Sequence, residues 1–143
     1  MRIQKLNYND PEAVDVVFTN AQGATITLGG AVGLTTTAAS VDGNLGVYAL
    51  YAQPFVGIAL SDVPNNAVGM ARAYGFCNSV FVFAVGSSVT INAGDPLGPG
   101  VAGSLGVNST GIRHAYGPVT ALQAPSPTVG SASGYIKGFV RAL

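Results

Sequence analysis

Turn-forming residues interrupt this chain from one end to the other. Gly29-Gly30, Asp42-Gly43, Pro64-Asn65-Asn66, Gly86-Ser87-Ser88, Gly94-Asp95-Pro96, Gly98-Pro99-Gly100, Asn108-Ser109-Thr110-Gly111 and Pro125-Ser126-Pro127 recur at short spacing, with β-branched and aromatic runs between them. Breaks that close together leave room for short strands and none for long helices. The residue supply agrees: one Glu, two Lys and four Gln stand against 20 Gly, too few good helix formers to build long helices. The expected class is all-β, a jelly-roll-like sandwich or a small β-barrel, with at most one short helical turn near residues 10–14. There Asp10 would cap, Pro11 would take the first helical position and Glu12 the first turn. A length of 143 residues fits one domain, residues 1–143, with residues 1–13 as an N-terminal arm and the Pro- and Ser-rich residues 124–134 as a long loop.

The expected strands are Val14 to Thr19 and Ala24 to Leu28, joined as a hairpin across Asn20 to Gly23, then Gly46 to Tyr51 and Phe55 to Leu60. Val68 to Phe76, Ser79 to Val85 and Val89 to Ala93 follow. Val101 to Val107, Gly117 to Gln123 and Tyr135 to Leu143 complete the set. In a half-buried strand apolar residues should alternate with polar ones. In Val80-Phe81-Val82-Phe83-Ala84-Val85, in Val47 to Tyr51 and in Phe55 to Leu60 both parities are apolar. A two-layered sandwich covers one face of each sheet, so the second face of these strands needs a neighbouring subunit or a long loop of the same chain.

Charge bears on the same question. Charged residues are 8% of the chain, against roughly 25% in an ordinary soluble domain. Six basic residues balance six acidic ones, for a formal net charge of zero. A surface so short of ions favours association, which predicts that neighbouring chains bury much of it. The basic residues Arg2, Lys5, Arg72, Arg113, Lys137 and Arg141 are dispersed, whereas nucleic acids are bound by concentrated basic footprints. No nucleic-acid partner is expected. The longest strongly apolar run, about Val80 to Val85, is far short of the roughly 20 residues of a membrane helix, so no membrane partner is expected either. The start, MRIQKLNYNDPE, lacks the apolar core of a signal peptide, which predicts synthesis in the cytoplasm.

Catalytic constellations are hard to assemble from these residues. The single histidine, His114, has no nucleophile elbow to serve, since Gly130-Ser131-Ala132-Ser133-Gly134 carries Ala at the nucleophile position. One histidine and one cysteine cannot build a zinc-type site. Asp10, Glu12 and Asp15 are the only clustered carboxylates, and they lack the spacing of a calcium loop. Asp42 and Asp95 sit in turn contexts, and Asp62 is placed to end a strand. Cys77, among Tyr74-Gly75-Phe76 and Val80 to Val85, reads as a small buried residue rather than a reactive thiol. The expectation is a protein that is not an enzyme, with no catalytic residue, no metal and no cofactor.

From about Val56 to Leu143 the sequence resembles the small cement or head-decoration proteins of tailed bacteriophages. The segments that carry the resemblance are Gly57-Ile58-Ala59-Leu60-Ser61-Asp62, Ile91-Asn92-Ala93-Gly94-Asp95-Pro96-Leu97, Thr120-Ala121-Leu122-Gln123-Ala124 and Gly134-Tyr135-Ile136-Lys137-Gly138-Phe139-Val140. The resemblance implies a β-barrel or jelly-roll-like fold, no cofactor, and a structural virion protein attached to the capsid surface as a homo-dimer or homo-trimer. Such a protein would stabilise the shell by bridging neighbouring major capsid subunits.

The residues expected at that interface are Arg2, Ile3, Lys5, Leu6 and Tyr8 of the arm, Phe81 and Phe83, and Tyr135, Lys137, Phe139 and Arg141 of the last strand. That strand alternates: Tyr135, Lys137, Phe139, Arg141 and Leu143 share one face, and Ile136 and Val140 share the other. A face mixing aromatic and basic residues suits contact with a polar protein surface; as a solvated face, its Lys and Arg stems would lie along the rings. The binding would act through apolar burial and strand-edge pairing. A second reading is a carbohydrate- or receptor-binding β-sandwich on a virion surface, in which some of the six tyrosines stack on sugars.

Overall fold

A computed structural model describes residues 12–35, 45–49, 54–83, 90–100, 103–107, 117–123 and 133–142. Among these residues there are nine strands and no α-helix. They are β1 (Val14–Asn20), β2 (Ala31–Leu34), β3 (Leu45–Tyr48), β4 (Phe55–Ala59), β5 (Val68–Phe83), β6 (Pro96–Pro99), β7 (Leu105–Gly106), β8 (Val119–Ala121) and β9 (Ser133–Arg141). The all-β expectation holds. Of the helical turn expected near residues 10–14, Asp10 and Pro11 lie outside the described residues. Glu12 and Ala13 are not helical, and Val14 already belongs to β1.

The strand order is β1-β3-β2-β4-β5-β7-β6-β8-β9, with β5 also paired to β1 and to β9. Those two extra pairings close the sheet on itself twice. One ring runs β1-β3-β2-β4-β5 and the other β5-β7-β6-β8-β9. Both rings share β5. Its first half pairs with β1 from Val68 to Tyr74, and its second half pairs with β9 from Tyr74 to Phe83. Closure leaves fewer free sheet edges among the described strands, and edges are the part of a β-protein most prone to uncontrolled pairing.

Residue choice along β5 explains how one strand serves two rings. Ala71, Ala73, Gly75 and Cys77 point inward, and all are small, so neighbouring layers can approach closely. The register with β9 then shifts by one residue: Cys77 faces Gly138, but Val80 faces Ile136. This is a β-bulge. It moves inward parity from odd to even positions, so that Val80 and Val82 enter the core opposite Ile136. The sequence suggests two strands here, Val68 to Phe76 and Ser79 to Val85. The structure has one strand with the bulge at the apparent gap.

Two apolar clusters fill the rings. Phe18, Ile26, Val32, Ala59, Val63 and Ala71 form the first. The second gathers Cys77, Val80, Val82, Ile91, Leu97, Leu105, Val119, Ala121, Ile136 and Val140, together with Ala31, Ala49 and Ile58. Ile58 and Ala59 are adjacent on β4 and fully buried in different clusters, as are Ala31 and Val32 on β2. The β2–β4 wall is therefore covered on both sides by this chain. That corrects the expectation of a neighbouring subunit over Phe55 to Leu60: the second ring supplies the cover.

Other expectations are corrected as well. Ala24 to Leu28 is no hairpin arm for β1. Ile26 makes only an isolated bridge to Val63, and the neighbours of β1 are β5 and β3. Asn20, read as a turn residue, is buried: its Nδ2 donates to the Ala24 and Val63 carbonyls at 2.7 Å each, and its Oδ1 accepts from Gln22 N at 2.8 Å. That amide holds residues 20–24 to the Val63 segment, where a hairpin ladder would otherwise run. Gly98-Pro99 is strand β6 rather than a turn, with Leu97 and Gly98 buried. Residues 90–93 are not strand, although Ile91 is buried. Of the expected long loop, residues 124–132 lie outside the described residues, while Ser133 and Gly134 already belong to β9.

Candidate interaction faces

The outer face of the second ring carries the aromatic and basic residues. On β9, Ile136, Gly138 and Val140 turn inward. Tyr135, Lys137 and Arg141 are exposed, and Phe139 is half-buried. Register sets Phe81 opposite Tyr135, Phe83 opposite Ser133, Phe76 opposite Phe139 and Tyr74 opposite Arg141. The Phe81 and Tyr135 ring centroids are 5.4 Å apart. Tyr74 and Phe139 meet edge to face, also at 5.4 Å. The Arg141 guanidinium lies over the Phe139 ring, 5.5 Å from its centroid. Edge-to-face and tilted ring contacts and a cation–π contact hold Tyr74, Phe81, Tyr135, Phe139 and Arg141 against one another. Residues 74–83 and 133–141 together hold two cations and no carboxylate, so this face is positive.

The expected interface residues thus divide. Phe81, Phe83, Tyr135, Lys137, Phe139 and Arg141 come together on this one face. Arg2, Ile3, Lys5, Leu6 and Tyr8 lie outside the described residues, as does Leu143.

A second face, on the first ring, was not singled out in the sequence. Register places Val17 opposite Met70, Thr19 opposite Val68 and Asp15 opposite Arg72 on the outside of β1 and β5. Val68 is 69% exposed, Val17 62% and Met70 47%. Arg72 Nε donates to Asp15 Oδ1, Nη2 lies 3.3 Å from Oδ2, and Nη1 reaches the Phe76 carbonyl. The face is apolar and bounded by a matched acid–base pair. Its signal lay in Val14 to Phe18, where both parities are largely apolar, the same pattern read at Val80 to Val85.

Asp62, Asp95 and Cys77 are committed to structure. Asp62 Oδ1 accepts from Leu28 N at 2.7 Å just beyond β4, and Asp95 Oδ2 accepts from Asn92 N at 2.8 Å in the turn before β6. Cys77 is buried, with Sγ 3.3 Å from the Ser79 carbonyl, and burial pushes its thiol pKa up. A buried thiol held protonated is a poor nucleophile. His114 lies outside the described residues. Among the described residues no three His, Cys, Asp or Glu side chains converge as metal ligands would.

No protein-family model and no curated protein matches this chain. Its fold does match a solved structure, described as the crystal structure of the head fiber gp8.5 N base in bacteriophage phi29. The superposition has a TM-score of 0.54 and 12% sequence identity, and covers 92% of this chain and 96% of that one. Likeness at that identity establishes a common fold.

Proposed function

We propose that this chain is a non-catalytic structural protein of a bacteriophage head. In this reading it sits on the capsid surface as a homo-dimer or homo-trimer and stabilises the shell by bridging neighbouring major capsid subunits. The observation that carries it is the end-to-end fold match to a phage head fiber base. The positive aromatic face of β5 and β9 supports it: Tyr, Phe and Arg are the residues that protein interfaces favour, and here they are held by ring–ring and cation–π contacts. Ring closure leaves face burial, rather than edge pairing, as the main binding mode. Lys137 and Arg141 would meet acidic groups on the shell, and Tyr135 would be the central anchor.

The test uses purified heads of the phage that encodes the chain. Peptides of this protein are expected in a fixed ratio to the major capsid subunit, with matching density on the outside of the shell. Lys137→Glu with Arg141→Glu should lower retention on heads by about tenfold or more, the scale of reversing charges at an interface. Absence of the protein from purified heads would overturn the proposal. Saturable binding to glycans that is lost with Tyr135→Ala would move the assignment to a carbohydrate-binding module.

A further inference from the structure

We infer that the Val17–Val68–Met70 face is the surface through which this chain binds a second copy of itself. The inference rests on the self-association part of the proposed function and not on the shell part. Charge separates the two exposed faces. The β5–β9 face carries Lys137 and Arg141 without a carboxylate on those strands; laid against its own copy it would set cation against cation, so it suits an acidic partner of another kind. The β1–β5 face is different. Its centre is apolar, with Val17 and Met70 directly opposed and Val68 one pair along. Its border is one acid and one base, Asp15 and Arg72, side by side.

Self-complementarity is what a two-fold contact requires, because the same patch must serve both sides. Two copies facing each other about a two-fold axis would bring apolar centre onto apolar centre. The Asp15–Arg72 pair of each copy would then lie head to tail with the pair of the other, each guanidinium near the opposite carboxylate. No unmatched charge is buried in that arrangement. An acidic or basic foreign surface would gain nothing from so neutral a border. The three central side chains are also among the most exposed large apolar residues described, and a chain with only twelve charged residues has few other means of keeping such a face solvated.

The experiment is light scattering and sedimentation of the purified full chain over a range of concentrations, with head-binding measured in parallel. The wild type is expected to be a stable oligomer. Val17→Glu with Met70→Glu should weaken association by about 100-fold or more, because it places unpaired charge inside a buried contact. The milder Val17→Thr with Val68→Thr keeps β-branched shape at exposed positions and should weaken association in the same direction, with circular dichroism unchanged. Lys137→Glu with Arg141→Glu should leave the oligomer intact while retention on heads falls. A wild type that stays monomeric at every concentration overturns the inference. So does an oligomer unaffected by the Glu and Thr pairs, or one dispersed by the Lys137 and Arg141 changes. None of those outcomes depends on whether heads are bound, so failure here and failure of the shell reading are read from different measurements.

Discussion

Cys77 shows how much a single position is asked to satisfy. It is the last inward residue of β5 before the bulge, opposite Gly138, and it is buried in the second cluster. Sequence context was enough to place it in the core, because a lone cysteine between two apolar runs rarely has another use. Context could not reveal the pH behaviour that follows from burial. The folded thiol pKa is raised, chiefly by desolvation, so the folded state keeps its proton in a range where the unfolded thiol loses it. The contribution to stability is complete below the ordinary thiol range, about 8.5, and is lost as pH rises from there through the raised folded value. The urea midpoint of the wild type should therefore fall more steeply between pH 8 and 10 than that of Cys77→Ala. Parallel pH profiles for the two proteins would remove this account.

Strand β5 carries the lesson at the level of elements. Its existence was legible, since Val68 to Phe76 and Ser79 to Val85 are runs with β-branched and aromatic residues that read as strands. Its continuity was not, because a bulge places two residues against one and looks in sequence like a break. β4 and β9 were read nearly to their ends, the one from its apolar run and the other from a clean alternation. β6 was missed because Gly98-Pro99-Gly100 has turn composition. In the fold, Pro96 and Leu97 pair with β8 while Gly98 and Pro99 pair with β7. A strand that changes partner after two residues makes few demands on any one amide, and proline is tolerated there. The positive face was largely legible in β9, whereas the Val17–Met70 face had only its β1 half marked locally, in Val14 to Phe18, and depended on a pairing between residues some fifty positions apart. The closeness of β4 to β5 has a residue behind it: a Cβ on Gly57 would collide with the Arg72 carbonyl. Gly57→Ala should cost about 1–3 kcal/mol through backbone displacement. Gly23→Ala should cost less, because Gly23 faces open space and only its φ of +83° opposes a side chain. Chemical unfolding of both variants checks the order, and a larger loss at Gly23 would mean that β4 and β5 can separate without penalty.

For the molecule as a whole, the scarcity of charge has two sources of relief. Part of the apolar sheet surface is hidden internally, because the rings share a wall: Ile58 and Ala31 face one cluster while Ala59 and Val32 face the other. A third tie lies outside the wall. The Tyr48 ring of β3 sits over Gly103, just before β7, where φ is +74° and any side chain would overlap the ring. The remaining relief is assigned to the two exposed faces. The shared wall has a thermodynamic consequence. Neither ring can open while the other stays whole: opening the second strips the cover from Ile58, and opening the first pulls Ile58 out of the second cluster and frees the strand on which that ring is built. One cooperative transition is therefore expected, even though the fold contains two closed circuits. Ile58→Ala, which leaves a void in the wall, should lower overall stability by about 2–5 kcal/mol. Native-state hydrogen exchange offers the sharpest check. Amides of β1, found only in the first ring, and of β9, found only in the second, should lose protection at the same free energy, and in Ile58→Ala both should fall by the same amount. Protection that survives in β9 after β1 has exchanged would mean that the second ring stands alone and that β5 joins two units rather than one.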